Sequence, residues 1–210
     1  PKELRLEENY HLMISGIIPR PIAFVTSVDE KGNINLAPFS FFNGFGVNPP
    51  IVGFSPALSG RTGEPKDTLL NIQETQEFTI SIINYDMVGQ ASLSSCEYER
   101  DIDEYLKSGL NRSESTIVKP PFVEESPFVM ECKLHDIVYL GNKPASGNLI
   151  LGEIVMFQIS DKILNDKDQV DPVLLDAVSR MGGSWYSQSK KGLFELKKPR
   201  WNGIGFESIP

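Results

Sequence analysis

Proline and glycine interrupt the apolar segments of this 210-residue chain so often that few segments can form long helices. The chain contains 15 prolines and 17 glycines, and proline lacks the amide hydrogen that a helix interior or a central strand requires. Between these interruptions, apolar and polar residues alternate over short stretches, which is the period of a half-buried strand. The pattern therefore favours a mainly β fold.

The predicted strands are short in the N-terminal half of the chain and longer after residue 127. Residues 21–28 and 34–43 flank a polar, glycine-containing turn and predict a hairpin. The other predicted strands are residues 51–55, 77–84, 128–140 and 149–159. Short strands at irregular spacing with few helices favour a β-barrel with peripheral helices.

The helix predictions are few. One helix begins at Asp67 or Thr68, either of which is a suitable N-cap, and continues to about Thr75. The other helix candidates are residues 86–93, 101–108 and 172–178. Residues 97–101, which are rich in acidic side chains, are interpreted as a solvated acidic face.

Length and charge narrow the class of protein. The formal net charge of −8 disfavours binding to a nucleic-acid backbone but permits one small phosphorylated ligand. We expect one domain over residues 1–210, with a core of about residues 17–186 and a C-terminal tail of residues 187–210. The most apolar early stretch, residues 12–28, is too broken to span a membrane and lacks the features of a signal peptide, which points to the cytoplasm.

Metal chemistry is not expected. The two cysteines, Cys96 and Cys132, and the two histidines, His11 and His135, show no metal-like spacing. Two reduced thiols are favoured over a disulfide. Neither histidine has a recognisable nucleophile as a partner, so the sequence predicts no acid–base constellation.

Residues 35–43, with the sequence NLAPFSFFN, are the first candidate for a binding segment. Pro38 cannot donate to a strand ladder, so we expect this edge to be open or bulged. A flavin ring needs flat apolar walls together with backbone or hydroxyl groups directed at its N5 and O4 edge, and this segment offers both. The alternative is that Phe39, Phe41 and Phe42 only fill the core.

Two further segments have the residue types of a ligand site. In residues 59–68, Arg61, Lys66 and Thr68 offer two cations and a hydroxyl at the start of a predicted helix, where phosphate is readily bound. The alternative there is a solvated turn with an ordinary cap. In residues 179–186, paired glycines beside an arginine and two aromatics predict either a wall over a planar ligand or a turn packed against the barrel.

Taken in order, these segments resemble the flavin reductase-like family of FMN-binding split-barrel proteins, which includes flavoredoxins and the reductase partners of flavin-dependent monooxygenases. The matching motifs are PRPIAFVTS at 19–27, NLAPFSFFN at 35–43, NPP at 48–50, KDT at 66–68 with NI at 71–72, DEY at 103–105, GL at 109–110, EC at 131–132 and RMGG at 180–183. The resemblance covers about residues 17–186. Each motif is weak alone, whereas the ordered set is specific.

The resemblance implies a six-stranded Greek-key split barrel with peripheral α-helices, FMN in a groove at its side, and a homodimer that helps to enclose the cofactor. The residues that it implies around the isoalloxazine ring are Thr26, Ser27, Ala37, Pro38, Phe39, Ser40 and Phe41. Those that it implies around the phosphate are Ser55, Ser59, Arg61, Lys66 and Thr68, with Arg180 and Tyr186 approaching from the late segment. No side chain is expected to be catalytic, because the flavin carries the chemistry.

Three functions are compatible with this sequence. The first is an NAD(P)H-dependent flavin reductase in which hydride passes to flavin N5. The second is a flavoredoxin-like FMN electron carrier that is reduced by a protein partner, to which the acidic charge is suited. The third is a binding module without flavin, in which the aromatic residues are barrel core.

Overall fold

The structure is a computed structural model that describes residues 2–196 and 198–199. Its strands are β1 (Ala23–Val28), β2 (Ile34–Phe39), β3 (Phe42–Val47), β4 (Pro50–Phe54), β5 (Glu77–Ile82), β6 (Arg112–Ser113), β7 (Phe122–Val123), β8 (Phe128–Tyr139), β9 (Asn148–Ile159), β10 (Val178–Arg180) and β11 (Tyr186–Gln188). Its α-helices are α1 (Leu6–Gly16), α2 (Asp67–Thr75), α3 (Val88–Leu93), α4 (Glu104–Ser108) and α5 (Pro172–Leu175). The predicted mainly β architecture is confirmed.

One antiparallel sheet organises the molecule. Within the described residues it contains seven strands in the order β2-β1-β5-β8-β9-β4-β3. β2 and β3 stand at opposite ends of this order, although only Ser40 and Phe41 separate them along the chain. The two edges of the sheet must therefore approach each other at this link, where the Ser55 amide donates to the Phe41 carbonyl at 2.9 Å. The sheet is strongly curved as a result.

The predicted strand of residues 34–43 is wrong in its length, because the chain turns at Ser40 and Phe41 and divides it into β2 and β3. Pro38 remains inside β2. It pairs with Phe24 on β1, and the nearby Leu36 amide points away from β1 toward Glu104. Alternate residues of an antiparallel strand direct both backbone groups away from the neighbour, so Pro38 occupies a position that needs no donor. The six-strand Greek-key arrangement stays a prediction.

Hydrophobic residues pack on both sides of β1, all six residues of which are buried. On one side Val25 packs with Phe54, Phe78 and the apolar face of α2. On the other side Phe24 packs in a second cluster with Tyr105 of α4 and neighbouring residues. Packing on both faces holds β1 in one position. Because β2 pairs with β1, the position of β2 is fixed as well.

The helices differ from the sequence predictions mainly at their ends. α1 was not predicted, and it buries only Ile14, whereas Leu6, Tyr10 and Met13 on the same helix are exposed. α4 begins later than predicted because the Asp103 side chain caps it by accepting from the Tyr105 and Leu106 amides. α5 ends at Leu175, and Asp176 follows with a φ of +46°.

The segment that precedes β8 is organised by one buried carboxylate. Glu131 accepts hydrogen bonds from the amides of Thr116, Ile117 and Val118 and from the Gln158 side chain. Burial raises the pKa of this carboxyl, but the hydrogen bonds lower it more, so its pKa lies below the ordinary value. An ionised Glu131 thus holds residues 116–118 against β8.

Some predictions concern features that the structure describes only in part. In the predicted C-terminal tail, residues 197 and 200–210 lie outside the described residues. Among residues 2–196 and 198–199, no helix combines the length and the apolar composition needed to cross a membrane. In the same part of the chain no cluster of three or more His, Cys, Asp or Glu side chains is arranged to hold a metal ion.

Candidate functional site

A cleft of about 480 Å³ lies along the free edge of β2. We call it the β2 cleft. Its lining comes from β2, the loop before α2, the start of α2, residues 94–99 and Glu104. It brings together seven of the predicted site residues: Ala37, Pro38, Phe39, Ser59, Arg61, Lys66 and Thr68. Residues of the two candidate segments 35–43 and 59–68 therefore share one cleft.

The N-terminus of α2 opens into this cleft without a side-chain cap. The prediction of Asp67 or Thr68 as the N-cap is wrong, because the N-cap is Lys66 and no side chain caps the helix. The Thr68 hydroxyl does not cap the helix, because it accepts a hydrogen bond from the side-chain amide of Asn35 at 2.8 Å. In the described part of the chain the amides of Asp67 and Thr68 have no acceptor. Free amides at a helix N-terminus are suited to an anion.

The β2 cleft contains more carboxylates than cations. Arg61 lies 3.9 Å from Glu97. By contrast, no carboxylate of the described residues lies within the 4.0 Å of an ion pair from Lys66. The acidic lining residues are Glu64, Asp67, Glu97, Glu99 and Glu104. Among the described residues, Lys66 is therefore a cation at the helix end without a carboxylate partner.

Glu104 is a cleft residue that sequence reasoning did not single out as a site residue. Its carboxylate accepts a hydrogen bond from the Leu36 amide at 3.1 Å. Because Pro38 has no amide hydrogen, the β2 edge facing the cleft presents the carbonyls of Leu36 and Pro38 as acceptors. Burial has the largest effect on the Glu104 carboxyl and raises its pKa. Hydrogen bonds lower this pKa by less than burial raises it, and the negative charges of Asp103 and Asp67 raise it further.

Residues 94–99 line the cleft opposite β2, although part of this segment was interpreted as a solvated acidic face. The Arg100 guanidinium connects this segment to α2. It lies 3.2 Å from the Asp67 carboxylate and 3.3 Å from the side-chain oxygen of Asn71. Cys96 is exposed in this segment, whereas Cys132 lies in the core. The Arg100 contacts join residues that are far apart in the sequence, so no local sequence pattern could have predicted them.

A second cavity, of about 280 Å³, adjoins the β2 cleft. We call it the Arg180 cavity. It brings together Ser40, Arg180 and Tyr186, and it shares Pro38 and Ser95 with the β2 cleft. The Arg180 guanidinium lies 4.5 Å from the centre of the Tyr186 ring, and its Nη2 donates to the Gly183 carbonyl at 2.8 Å. The remaining lining residues are Tyr10, Ile22, Ile83, Val88, Ala91 and Ser92.

Four predicted site residues line neither the β2 cleft nor the Arg180 cavity. Thr26 and Ser27 are fully buried, and their hydroxyls pair with Tyr105 at 2.7 Å and with the Asn71 side chain at 3.2 Å. Phe41 and Ser55 are joined by the backbone hydrogen bond at the link between β2 and β3. These four residues support the walls from behind.

Arg20 is a structural residue of the site that sequence reasoning did not identify. Its side chain is 4% exposed and donates to the carbonyls of Ile14, Ile17 (2.7 Å) and Met181 (3.0 Å). Its backbone pairs with that of Arg180. Arg20 therefore joins the end of α1 to the strand that carries Arg180. Burial lowers the pKa of Arg20, and the nearby Arg180 charge lowers it further.

Comparison with known proteins gives a consistent result. Residues 15–182 match the family described as flavin reductase like domain. An uncharacterised protein of Halalkalibacterium halodurans is 35% identical over 202 residues, which cover 95% of each chain. The predicted resemblance is confirmed.

Solved structures agree. Nitrilotriacetate monooxygenase component B from Bacillus cereus has a TM-score of 0.85 at 32% identity, covering 94% of this chain and 96% of that one. 2-Nitrobenzoate 2-nitroreductase from Pseudomonas fluorescens has a TM-score of 0.84 at 26% identity, covering 97% and 98%. Flavoredoxin of Desulfovibrio vulgaris, at 24% identity and a TM-score of 0.72 over 86% of this chain and 91% of that one, shares the fold. The chain belongs to the flavin reductase-like family.

Proposed function

We propose that this protein binds FMN non-covalently in the β2 cleft and acts as an NAD(P)H-dependent flavin reductase. The observation that carries the proposal is that the uncapped N-terminus of α2, with the unpaired Lys66, opens into the same cleft as Ala37, Pro38 and Phe39. A phosphate-tailed planar molecule matches this arrangement of a cationic, amide-rich end and an apolar wall.

Each part of the cleft has a separate task in this proposal. The amides of Asp67 and Thr68 and the Lys66 ammonium hold the phosphate dianion. The side chains of Ala37 and Phe39 exclude water from one side of the ring, and the β2 carbonyls accept hydrogen bonds from ring N–H groups. Bound FMN would supply hydride acceptance at N5. The chain then needs no acid–base side chain.

The relatives support a flavin-linked redox function in general terms. The Bacillus cereus protein is a monooxygenase component and the Pseudomonas fluorescens protein is a nitroreductase. We further propose a homodimer, because β3 forms an edge of the sheet on which Phe45 is 59% and Val47 is 92% exposed. We keep the cytoplasm as the predicted location.

The phosphate assignment is tested with FMN and riboflavin, which differ only in the phosphate. We expect Lys66→Met to weaken FMN binding roughly tenfold, because a charge-assisted hydrogen bond is lost, and to leave riboflavin binding unchanged. The measurement is fluorescence titration of both flavins against the wild-type protein and the variant. Lys133→Met removes the same charge from an exposed position on β8 and is the matched control. Equal loss for both flavins, or no loss for FMN, would reject the assignment.

The electron-carrier alternative rests on the net charge of −8, which suits docking to a basic partner. Anaerobic mixing of the FMN-loaded protein with NADH and with NADPH separates the two functions. Flavin bleaching within catalytic times supports the reductase. A flavin that stays oxidised with both nucleotides supports the carrier.

A further inference from the structure

The Arg180 cavity contains a guanidinium without a carboxylate partner. None of the described residues that line the cavity is acidic. In the described part of the chain, no Asp or Glu oxygen lies within 4.0 Å of Arg180. One donor on Nη2 binds the Gly183 carbonyl, and Nε and Nη1 have no acceptor in those residues. Open donors on a charged group beside a cavity are suited to an acidic ligand.

A second guanidinium lies behind the cavity wall. Arg20 Nε is 3.4 Å from the hydroxyl of Ser40, which lines the cavity. The backbone carbonyls around Arg20 satisfy its hydrogen-bonding groups but do not neutralise its charge, and no carboxylate of the described residues forms an ion pair with it. A buried charge without an opposite charge is unfavourable. An anion in the cavity would therefore be stabilised by two positive charges.

The other residues that line the Arg180 cavity indicate the shape and polarity of the uncharged part of such a ligand. Ile22, Ile83 and Val88 form an apolar surface, and the Tyr10 and Tyr186 side chains contribute aromatic ones. The volume of about 280 Å³ lies at the lower end of small-molecule sites, so it suits a single ring better than a dinucleotide. Apolar and aromatic walls favour a flat, apolar molecule.

We propose that the Arg180 cavity binds a small planar carboxylate with an apolar body, such as an aromatic acid. The carboxylate pairs with the open donors of Arg180, and the ring lies against the apolar wall. Because this binding chemistry uses only residues of the Arg180 cavity, it holds whether or not the β2 cleft contains FMN. The shared residues Pro38 and Ser95 place the acid next to whatever occupies the β2 cleft.

The test compares benzoate with benzamide, which have the same ring but differ in charge. Isothermal titration calorimetry on the full chain as purified, and again with saturating FMN, measures both affinities. We expect benzoate to bind roughly tenfold or more tightly than benzamide in both states. Arg180→Met should remove this preference, because it keeps an apolar stem but no charge, and Arg180→Lys should retain part of it.

The matched control is Lys133→Met, which removes a cation from an exposed position on β8 and should leave benzoate affinity unchanged. Equal affinities for the two probes, no detectable benzoate binding, or an equal loss in Lys133→Met would overturn the proposal. If circular dichroism shows that Arg180→Met is unfolded, the wild-type preference and its reduction in Arg180→Lys decide the question. Separate titration with FMN distinguishes a failure here from a failure of the flavin proposal.

Discussion

The two adjoining cavities have opposite charge. Among residues 2–196 and 198–199, five carboxylates and two cations line the β2 cleft, whereas one guanidinium and no carboxylate line the Arg180 cavity. They nevertheless meet at Pro38 and Ser95. For the binding of an anion, the position of each positive charge in a cavity therefore matters more than the net charge of the lining residues. In our proposal the acidic cleft binds a phosphate because Lys66 and the free amides of α2 are concentrated at one end of it.

The largest expected effect concerns the arginine buried behind the Arg180 cavity. Arg20→Met leaves the carbonyls of Ile17 and Met181 without a donor and should lower the free energy of unfolding by on the order of 3 kcal/mol. Urea denaturation measures this change. Arg20→Lys, which restores the charge but not the planar fork, should be intermediate. A loss below about 1 kcal/mol for Arg20→Met would show that Arg20 contributes little more to the free energy of unfolding than the exposed Arg61 does.

A smaller effect is expected for a carboxylate of the β2 cleft. The folded-state pKa of Glu104 lies above the ordinary value of 4.5, mainly because of burial. Its stabilising contribution is therefore complete below about pH 4.5 and is lost as the pH rises through the folded-state pKa. Glu104→Gln keeps an acceptor for the Leu36 amide without this loss. We expect the variant to be more stable than the wild type at pH 7, by at most on the order of 1 kcal/mol.

Urea denaturation at pH 4 and pH 7 checks the Glu104 prediction, and the advantage of the variant should disappear toward pH 4. An advantage of the same size at both pH values, or a variant that is less stable at pH 7, would contradict it. Such a result would also mean that the β2 cleft tolerates its acidic lining without an energetic penalty.

The smallest effect is expected for the exposed arginine of the β2 cleft. The Arg61 side chain is 85% exposed and lies 3.9 Å from Glu97. Arg61→Met should change the free energy of unfolding by less than about 0.5 kcal/mol, because exposed ion pairs contribute little. Thermal or urea unfolding compares it directly with Arg20→Met. A loss as large as that of Arg20→Met would remove the distinction between the two arginines.

The strands were largely predictable from the sequence, since alternation and proline or glycine boundaries are local signals. The prediction for residues 128–140 became β8 (Phe128–Tyr139), and that for residues 149–159 became β9 (Asn148–Ile159). The break at Ser40 and Phe41 was not predictable, because it depends on the edges of a curved sheet meeting. α1 was missed although its apolar residues Leu6, Tyr10, Met13 and Ile14 recur at helical spacing, so the sequence contained a local signal for it.

The site was predictable where its residues are close in the sequence. Ala37, Pro38 and Phe39 lie on one strand, and Lys66 and Thr68 lie at one helix end. Sequence reasoning did not find Glu104 or residues 94–99, because Arg100 brings that segment across the cleft through tertiary contacts. The helix cap was assigned wrongly since the competing partners, Asn35 and Arg100, come from distant parts of the chain.

The two-residue link between β2 and β3 affects how the protein can change during evolution. Ser40 lines one cavity, and the Phe41 carbonyl binds the Ser55 amide, four residues before Ser59 in the other. An insertion at this link would shift the linings of both cavities together. The turn between β8 and β9 is tied to only one of the two cavities, through backbone hydrogen bonds between Leu58, which precedes Ser59 of the β2 cleft, and Ala145 and Ser146. We therefore expect homologues to keep the spacing between Phe39 and Phe42 more strictly than the length of that turn.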